Sequence, residues 1–379
     1  MNIAYVAVGF EMDKRLGVLG KIQRQISHWV EAGHDVRFFV QSHRPPCGVR
    51  DGMTGGVPVE VFTHGSIRGV GLLGGLLQRF AVVSALVERV ESWGADLVYV
   101  RFNTWYPALT ALAGRVPLVL EVNTDDLREY RLMMSRLQYA YHRLGRGRLM
   151  RRAAGLVFVT HELASNRSFA RLRRPQRVIP NGIRLQDYPV LPPTNNDRPR
   201  LVFIGSAGHP WHGVDKIVRL AGYVPEWHFD LIGLGPEDLG GHAPPNVVCH
   251  GYLDRSGYDR IMALADVAIG TLALHRKGMS EAAPLKVREY LAYGIPTIVG
   301  YRDSDFLDGC EYLLELPNTE DNVESHLGEI RAFVERMRGI RVPREAVAHI
   351  DDARKETARL EFFAEVVRHS GLVGALDRL

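Results

Sequence analysis

The sequence predicts an α/β fold of two Rossmann-like lobes, each with a parallel sheet, and an interdomain cleft. Apolar strand-like runs alternate with amphipathic segments of helical length through both halves of the chain, which is the pattern of a parallel sheet covered by helices. The chain has 379 residues, more than twice the roughly 100–150 residues of a typical domain. A proline-rich polar stretch, 189–199, separates the two halves and is typical of a linker. Two cores therefore fit the sequence better than one.

The predicted elements divide the chain into four segments. Residues 1–186 form an N-terminal lobe, 187–199 a linker, 200–352 a C-terminal lobe, and 353–379 a final helix that suits either lobe and is expected to pack back on the N-terminal one. The strands predicted in the first lobe are 3–8, 36–40, 57–62, 97–101, 118–122, 156–160 and 177–179. Those predicted in the second are 201–204, 228–232, 247–250, 267–269, 297–299 and 312–314.

Composition and local features indicate a cytoplasmic globular protein. The apolar and charged fractions, 46% and 24%, are ordinary for a globular chain. The longest apolar stretch, 69–87, is interrupted by Gln78 and Arg79 and is shorter than the ~20 apolar residues of a membrane span. The N-terminal residues enter a strand-like run without the features of a signal peptide. Three cysteines, at 47, 249 and 310, have no spacing typical of a zinc site or a disulfide framework.

Charge is distributed unevenly between the lobes. Residues 1–190 carry 26 Lys and Arg against 15 Asp and Glu, and Glu162 is the only acidic residue between Arg131 and Arg184. Such a basic region attracts phosphate-bearing partners or an anionic membrane, or is simply a solvated surface. The segment 130–152 also carries aliphatic and aromatic residues, so we expect either a peripheral helix on an anionic membrane or an ordinary helix packed on the lobe. No nucleic-acid-binding motif is present, and we expect no such partner.

The loop after the first strand is a candidate for close contact with a ligand. It runs from Glu11 to Gly20, with the next helix expected to begin near Lys21. Gly17 and Gly20 would let the backbone approach an anion near a helix N-terminus. A loop needs glycines for conformational reasons as well, and the G-x-G-x-x-G fingerprint is absent.

The corresponding loop of the second lobe, 205–215, follows a buried strand. Its small residues begin with Gly205 and Ser206 and leave room for a ligand at the carboxyl end of the sheet, where open α/β folds bind their ligands. The position suits a diphosphate, to which Ser206 or His212 would donate hydrogen bonds. The alternative is a surface loop with an exposed histidine.

The segment 278–300 carries the most information about function. Pro284 suits the start of a helix, so Glu281 lies before that helix, while Lys286 and Glu289 lie on one of its faces. The helix macrodipole opposes a cation at an N-terminus, which makes Lys286 unfavourable unless an anion binds there. A phosphate would resolve this conflict, and the carboxylate of Glu289 would then accept hydrogen bonds from ribose hydroxyls. Three solvated side chains are the alternative.

Four motifs, taken in order, resemble the retaining glycosyltransferases of family 4. The spacing of Glu281 and Glu289 with the following residues to Val299 resembles the donor motif of that family. The stretches 178–183, 211–215 and 33–36 resemble three further family motifs. The resemblance spans nearly the whole chain and implies the GT-B fold, a nucleoside-diphosphate sugar as donor and retention of the anomeric configuration.

The family roles carry over by position. Glu289 is similar to the glutamate that holds the nucleotide ribose, and Glu281 to the one that faces the transferred sugar. Gly17 matches a first-lobe glycine that lies against the donor. Where family members often carry an Arg and a Lys to bind the diphosphate, this chain has Ser206 and His212.

Lys286 is the candidate replacement for those two cations. The resemblance therefore implies a catalytic pair, Glu281 and Lys286, with backbone amides near Gly205 and Leu285 aimed at the charge of the departing diphosphate. A first-lobe histidine that is common in the family corresponds to Asn123.

The implied reaction is a hexosyltransferase-type transfer without a metal or other cofactor, from a UDP- or GDP-linked sugar. Asp303, Ser304 and Asp305 follow the wrong strand for a metal-binding Asp-x-Asp loop and are expected to cap a helix after them. The acceptor is expected to be a glycan, a lipid-linked sugar or a small molecule held by the first lobe. Candidate acceptor-side residues, which follow two strands at their carboxyl ends, are Arg101, Asn123 and Asp125.

Two other functions remain open at this stage. A sugar-nucleotide 2-epimerase shares the two-lobed architecture but needs acid and base residues and no acceptor. A catalytically weak or inactive relative that acts as a binding subunit is suggested by Ser206, His212 and Asn123, which replace the usual family residues.

Overall fold

A computed structural model describes residues 1–12, 17–42, 49, 52–63, 72–240 and 243–376. Residues 13–16 of the predicted first loop, and Cys47, lie outside this range. The chain divides into two compact units. Unit 1 comprises Met1–Pro180 together with Asp352–Leu379, and unit 2 comprises Asn181–Asp351.

Unit 1 contains a largely parallel sheet. Its strands, in chain order, are β1 (Asn2–Val8), β2 (Asp35–Ser42), β3 (Met53–Thr54), β4 (Val57–Thr63), β5 (Leu97–Arg101), β6 (Leu118–Val122), β7 (Gly155–Phe158) and β8 (Gln176–Val178). Their spatial order is β3-β4-β2-β1-β5-β6-β7-β8, and only the short β3 pairs antiparallel to its neighbour. The strand order reverses between β1 and β5, which is the switch point of a doubly wound sheet.

Eight helices of the described residues belong to unit 1. They are α1 (Gly17–Glu31), α2 (Leu72–Ser92), α3 (Pro107–Leu112), α4 (Asp126–Met133), α5 (Arg136–Arg152), α6 (His161–Ser165), α7 (Arg167–Ala170) and, at the C-terminal end of the chain, α13 (Asp352–Leu376). Helix α1 begins at Gly17, four residues before the predicted start near Lys21. Gly17 and Gly20 therefore lie inside its first turn and not in the loop.

The C-terminal helix α13 packs on α1 and the sheet of unit 1. The ring of Phe363 lies 5.2 Å from that of Trp29 and 5.1 Å from that of Tyr99. The carboxylate of Glu356 accepts a hydrogen bond from the indole of Trp29 at 2.9 Å and pairs with Arg359 at 2.9 Å. Aromatic packing and a closed polar network together fix this helix on unit 1.

Unit 2 contains a second doubly wound sheet. Its strands are β9 (Arg200–Ile204), β10 (His228–Ile232), β11 (Val247–Gly251), β12 (Val267–Ile269), β13 (Glu281–Ala282), β14 (Thr297–Val299), β15 (Arg302–Asp303) and β16 (Leu313–Glu315). Six of them form a parallel sheet in the order β11-β10-β9-β12-β14-β16, and β13 pairs with β15. The strand order reverses between β9 and β12, as it does in dinucleotide-binding folds.

Helices cover both faces of this second sheet. They are α8 (Val214–Tyr223), α9 (Arg255–Leu264), α10 (Leu285–Ala292), α11 (Asn322–Ser325) and α12 (Leu327–Met337), with short 3₁₀ turns that include Pro210–His212. The core between α8, α12 and the sheet includes Phe203, Trp227 and Phe333. Both units therefore have the α/β architecture that the alternation of elements predicts.

The capping role predicted for residues 303–305 is wrong. The sequence predicts that Asp303, Ser304 and Asp305 cap a following helix, but the next helix, α11, begins at Asn322. Asp303 is instead fully buried in β15 and pairs with Arg288. A buried guanidinium needs a carboxylate partner, and this requirement, rather than a helix N-terminus, explains the aspartate.

No helix within the described part of the chain is long and apolar enough to cross a membrane.

Candidate functional site

The strands β9 and β10 of unit 2 end in two turns that touch each other. The amide of Gly205 donates to the carbonyl of Ile232 at 2.9 Å. Gly233 has a φ of +81°, and a Cβ there would lie 2.2 Å from the carbonyl oxygen of Gly205. Neither a side chain nor an ordinary φ is compatible with this contact. The carboxyl ends of β9 and β10, beside the switch point, are therefore bare backbone, which a ligand can approach closely.

The buried ring of Phe203 is the centre of this corner of unit 2. The Nζ atom of Lys286 lies 4.4 Å from the centroid of that ring, and the imidazole of His212 packs edge-on against it at 5.9 Å. A Cβ on Gly205 would lie 2.3 Å from the same ring. Three residues that the sequence predicts to bind a diphosphate are thus brought around one aromatic side chain.

The amino group of Lys286 is buried without a counter-ion in the part of the chain that the structure describes. Within the described residues its Nζ atom is buried and has no hydrogen-bond partner. Burial lowers the pKa of Lys286 to about 7. The face of Phe203 supplies a cation–π contact, but an aromatic ring does not replace the hydrogen bonds that an ammonium group has in water.

Helix α10 adds a second positive feature at the same place. Its N-cap is Pro284, which provides no side-chain cap, and its first turn carries no acidic residue. The first amides of a helix lack intrahelical partners, and the macrodipole places partial positive charge there. Lys286 is the second residue of this helix, so two positive features coincide without an acidic side chain in the turn.

Buried contacts hold the loop that leads into α10. Asn181 donates from its Nδ2 atom to the carbonyl of Ala283 at 2.7 Å. Arg288 donates to the carbonyl of Asn181 at 2.9 Å and makes two hydrogen bonds of 2.8 Å to Asp303. The asparagine of the motif at 178–183 therefore supports the loop structurally. Its role could have been suspected from the motif, but its partners could not.

The hydroxyl of Tyr290 ties α10 to the end of β9. It accepts a hydrogen bond from the amide of Ile204 at 2.7 Å, and Tyr290 itself is fully buried. The start of α10 and the bare turn at Gly205 are therefore held in a fixed arrangement within unit 2.

His212 is neutral in this structure. Burial, and then the nearby charge of Lys286, lower the pKa of His212 to about 2. Its ring stacks on that of His209 at 5.0 Å, and its Nδ1 atom is buried with no hydrogen-bond partner among the described residues. A neutral imidazole can donate or accept one hydrogen bond here, but it cannot replace a cationic residue in a diphosphate clamp.

The two motif glutamates lie on either side of Lys286 along one strand–loop–helix segment. Glu281 is buried in β13, which pairs with β15. Glu289 lies one turn after Lys286 on α10, and burial together with the charge of Glu289 raises the pKa of Tyr258.

Leu285 is the first residue of α10. Ser206 lines a cavity of about 320 Å³ with His209 and Asp215.

In unit 1, the predicted residues Arg101 and Asn123 belong to a closed ionic cluster. The fully buried carboxylate of Glu121 accepts hydrogen bonds from Lys21 at 2.7 Å, Asn123 at 3.0 Å and Arg101 at 3.2 Å. Lys21 was not among the predicted site residues. Its position one turn into α1 is explained by the carboxylate opposite, which gives a buried lysine its partner.

Asp125 and Gly17 occupy the ends of helices. Asp125 caps α4 by accepting a hydrogen bond from the amide of Arg128 at 3.2 Å, and it also accepts one from Asn166 at 2.8 Å. Gly17 is an exposed residue at the start of α1. Binding roles for these residues stay predictions. No group of three or more His, Cys, Asp or Glu side chains in the described ranges is arranged to hold a metal ion.

Comparison with known proteins connects this geometry to a family. Residues 17–182 match the family described as a glycosyl transferase 4-like domain. No curated protein sequence matches the chain. The chain has the GT-B fold of the glycosyltransferases. The predicted fold, and the resemblance of residues 17–182 to a glycosyltransferase domain, are thereby confirmed.

Solved structures of low sequence identity share this fold over their whole length. Sucrose-phosphate synthase from Thermosynechococcus elongatus is 14% identical with a TM-score of 0.68, and 99% of this chain and 98% of that chain are covered. HepE from Anabaena, in complex with UDP and glucose, is 17% identical with a TM-score of 0.61, and the covered shares are 96% and 99%. The catalytic domain of starch synthase IV from Arabidopsis thaliana, bound to ADP and acarbose, is 13% identical with a TM-score of 0.63, and the covered shares are 97% and 99%.

The environment of Lys286 predicts that this residue destabilises the ligand-free protein. Its folded pKa lies below the ordinary lysine value, so the folded state binds fewer protons than the unfolded state between about pH 7 and pH 10. The cost is therefore full below about pH 7 and falls as the pH rises. We expect Lys286→Met to raise the melting temperature at pH 6.5, by about 2–4 °C for each kcal/mol recovered, and the gain to shrink by pH 9.5.

Lys216 provides the matched control, measured by the same thermal unfolding. Its buried Nζ atom donates to the carbonyls of Leu272 and Thr319 and to the side-chain oxygen of Asn322. Lys216→Met removes these three hydrogen bonds and should lower the melting temperature. If Lys286→Met lowers it as well, Lys286 is a structural lysine and our interpretation of its environment is wrong.

Proposed function

We propose that this chain is a retaining glycosyltransferase, of hexosyltransferase type, that uses a UDP- or GDP-linked sugar as donor. The observation that carries the proposal is the buried Nζ atom of Lys286, which has no hydrogen-bond partner among the described residues and lies at the start of α10. The diphosphate of the donor would bind there, against the backbone of Gly205.

An anion is the ligand that satisfies this corner of unit 2. A phosphate oxygen would accept hydrogen bonds from Lys286 and from the free amides at the start of α10, near Leu285. It would also raise the pKa of Lys286 back towards its ordinary value, because a nearby negative charge favours the protonated form. Ser206 and the neutral ring of His212 would donate further hydrogen bonds.

The two glutamates give the proposed donor its direction. With the diphosphate at Lys286, Glu289 lies one helical turn further along α10, where its carboxylate would accept hydrogen bonds from the ribose hydroxyls. Glu281, in the strand before the helix, would face the transferred sugar and orient its hydroxyls. The continuous segment from Glu281 to Glu289 supports this order.

In the proposed reaction, the bond between the anomeric carbon and the diphosphate breaks while the acceptor hydroxyl bonds to that carbon on the same face. Negative charge then accumulates on the departing diphosphate, and Lys286 with the amides near Gly205 and Leu285 would stabilise it. The leaving phosphate would accept the proton of the acceptor hydroxyl. The positive charge that a metal ion often supplies to a diphosphate would here come from Lys286 and the helix.

Two of the structural neighbours support a nucleotide ligand. HepE is described in complex with UDP and glucose, and the starch synthase domain with ADP and acarbose.

One observation favours a second candidate, a catalytically weak or inactive relative that acts as a binding subunit. His212 stands where many family members have a cation, and its lowered pKa leaves it uncharged at neutral pH. This candidate predicts weak donor binding, whereas the transferase predicts binding that depends on the charge of Lys286.

We also propose that unit 1 contacts an anionic membrane through 130–152. Leu137 and Leu144 are 83% and 76% exposed on α5, and Arg136, Arg143 and Arg148 are exposed on the same helix. Exposed leucines flanked by arginines are typical of helices that lie in the membrane interface. This contact would bring the enzyme to a lipid-linked acceptor.

The binding of a nucleotide sugar should depend on pH through Lys286. The diphosphate diester of a nucleotide sugar does not titrate between pH 7 and pH 9, so Lys286 must take up the proton. We expect the affinity for UDP-glucose or GDP-mannose, measured by calorimetry, to fall by up to about tenfold per pH unit above pH 7. Lys286→Arg should remove this pH dependence because arginine stays charged.

Lys286→Met provides the complementary test. Loss of charged hydrogen bonds should weaken donor binding by about 10–100-fold at pH 7. The donor site is elsewhere if Lys286→Met binds as tightly as the wild type. If no nucleotide sugar binds the wild type, the binding-subunit candidate is favoured instead.

Membrane contact predicts binding to anionic vesicles only. The wild type should sediment with vesicles that contain phosphatidylglycerol and not with pure phosphatidylcholine, and salt should weaken this binding. Leu144→Asp should reduce it strongly, whereas Leu264→Asp, at an exposed leucine of unit 2, serves as the control. Equal binding by Leu144→Asp and the wild type would exclude this helix as the membrane contact.

A further inference from the structure

Unit 1 contains a cavity of about 400 Å³ at the switch point of its sheet. Gly9 follows β1 and Asn103 follows β5, and both line the cavity. Ligands of doubly wound sheets bind at this position, outside the carboxyl ends of the strands where the strand order reverses. We call it the β1–β5 cavity.

The walls of the β1–β5 cavity are mostly apolar. The ring of Phe80 lies 5.8 Å from both Tyr106 and Tyr141, and these three aromatic side chains line the cavity with Met134 and Leu137. Such a lining favours a hydrocarbon group over a sugar, since the free energy gained on binding comes from apolar surface removed from water.

A few polar groups interrupt this lining. The hydroxyl of Tyr141 is buried and has no hydrogen-bond partner within the described part of the chain, and Arg79 lies at the wall. A few polar groups in an apolar cavity are typical of sites that orient a ligand. They suit a ligand that carries an oxygen-rich, anionic head beside its apolar part.

The wall is held in place by a buried ionic cluster behind it. His142 accepts a hydrogen bond from the amide of Trp105 at 3.2 Å and lies 2.6 Å from Asp126. Arg146 donates two hydrogen bonds to the same carboxylate, at 2.5 and 2.7 Å. These contacts join α4, α5 and the segment after β5, so the cavity is preformed rather than a gap between loosely packed helices.

Exposed apolar side chains continue from the rim of the cavity. Leu137 lines the cavity and is nevertheless 83% exposed. Met133 and Leu132, at the end of the preceding helix α4, are 54% and 58% exposed. A compact aromatic group would need no apolar surface outside the cavity, whereas a long hydrocarbon chain that overfills about 400 Å³ would use it.

We propose that the β1–β5 cavity binds the hydrocarbon chain of an amphiphilic acceptor with an anionic head, and that the chain continues over Leu137 and Met133. The acceptor substrate class is then a lipid-linked molecule. This inference rests on the proposed glycosyltransferase function for its meaning as an acceptor site. The binding of the chain itself does not depend on the donor.

The probes are butyl, hexyl and octyl phosphate, each below its micelle concentration and measured by calorimetry without vesicles. We expect the affinity to rise by about fourfold per added methylene until the cavity is full. Inorganic phosphate should not displace octyl phosphate. An affinity that does not change with chain length, or tighter binding of phenyl phosphate than of octyl phosphate, would overturn the proposal.

Two methionines of unit 1 give a matched pair of variants. Met134 lines the cavity, so Met134→Trp should fill it and weaken octyl phosphate binding by about tenfold or more. Met53→Trp, at an exposed position on the edge strand β3, should change the binding by less than about threefold. Equal effects of the two substitutions would contradict the cavity as the site.

Binding of the nucleotide sugar to both methionine variants reports that the chain is folded and separates the two proposals. If octyl phosphate binds in the expected way but no nucleotide sugar does, the proposed function fails and the cavity proposal stands. If the nucleotide sugar binds and the alkyl phosphates do not, only the cavity proposal fails.

Discussion

The proposed donor site of unit 2 depends on a lysine whose amino group is buried without a counter-ion among the described residues. Lys286 lies over Phe203 at the start of an uncapped helix, where both desolvation and the helix macrodipole oppose its charge. The surroundings hold it there: Arg288 pairs with Asp303, and Tyr290 ties the helix to β9. A site that is unfavourable when empty gains most from an anionic ligand, because binding removes the cost that the fold carries.

The two units share a sheet topology but differ in whether a buried lysine has an acidic partner. In unit 1, Lys21 is paired with the buried carboxylate of Glu121, so the corresponding edge holds a closed ionic cluster. In unit 2, Lys286 is left without such a partner among the described residues. A closed pair stabilises one geometry, whereas an open cation binds a ligand. This contrast explains why we assign the donor to unit 2 and an apolar acceptor group to unit 1.

The sequence predicts strands that are continuous and apolar more reliably than contacts between distant residues. Strands 97–101 and 228–232 have the predicted bounds, since the first apolar run ends at Arg101 and the second at the turn residue Gly233. The two-residue strands β3, β13 and β15 were missed because they are too short to show a period. The pairing of Asp303 with Arg288 and the ring of Phe203 beneath Lys286 were missed because only tertiary packing brings these residues together. The start of α10 was predictable because Pro284 favours a helix start without help from distant residues, and this places Lys286 in the first turn.

The most direct test of the donor site is thermal unfolding of the wild type and of Glu289→Ala with UDP, GDP, ADP, CDP and their sugar conjugates. A ligand at about 100 times its dissociation constant adds about 2.7 kcal/mol to stability. We expect one nucleotide to raise the wild-type melting temperature by several degrees and Glu289→Ala to abolish the shift. A panel in which no nucleotide moves the wild type, or in which the shift survives in Glu289→Ala, would contradict the assignment of this segment to the donor.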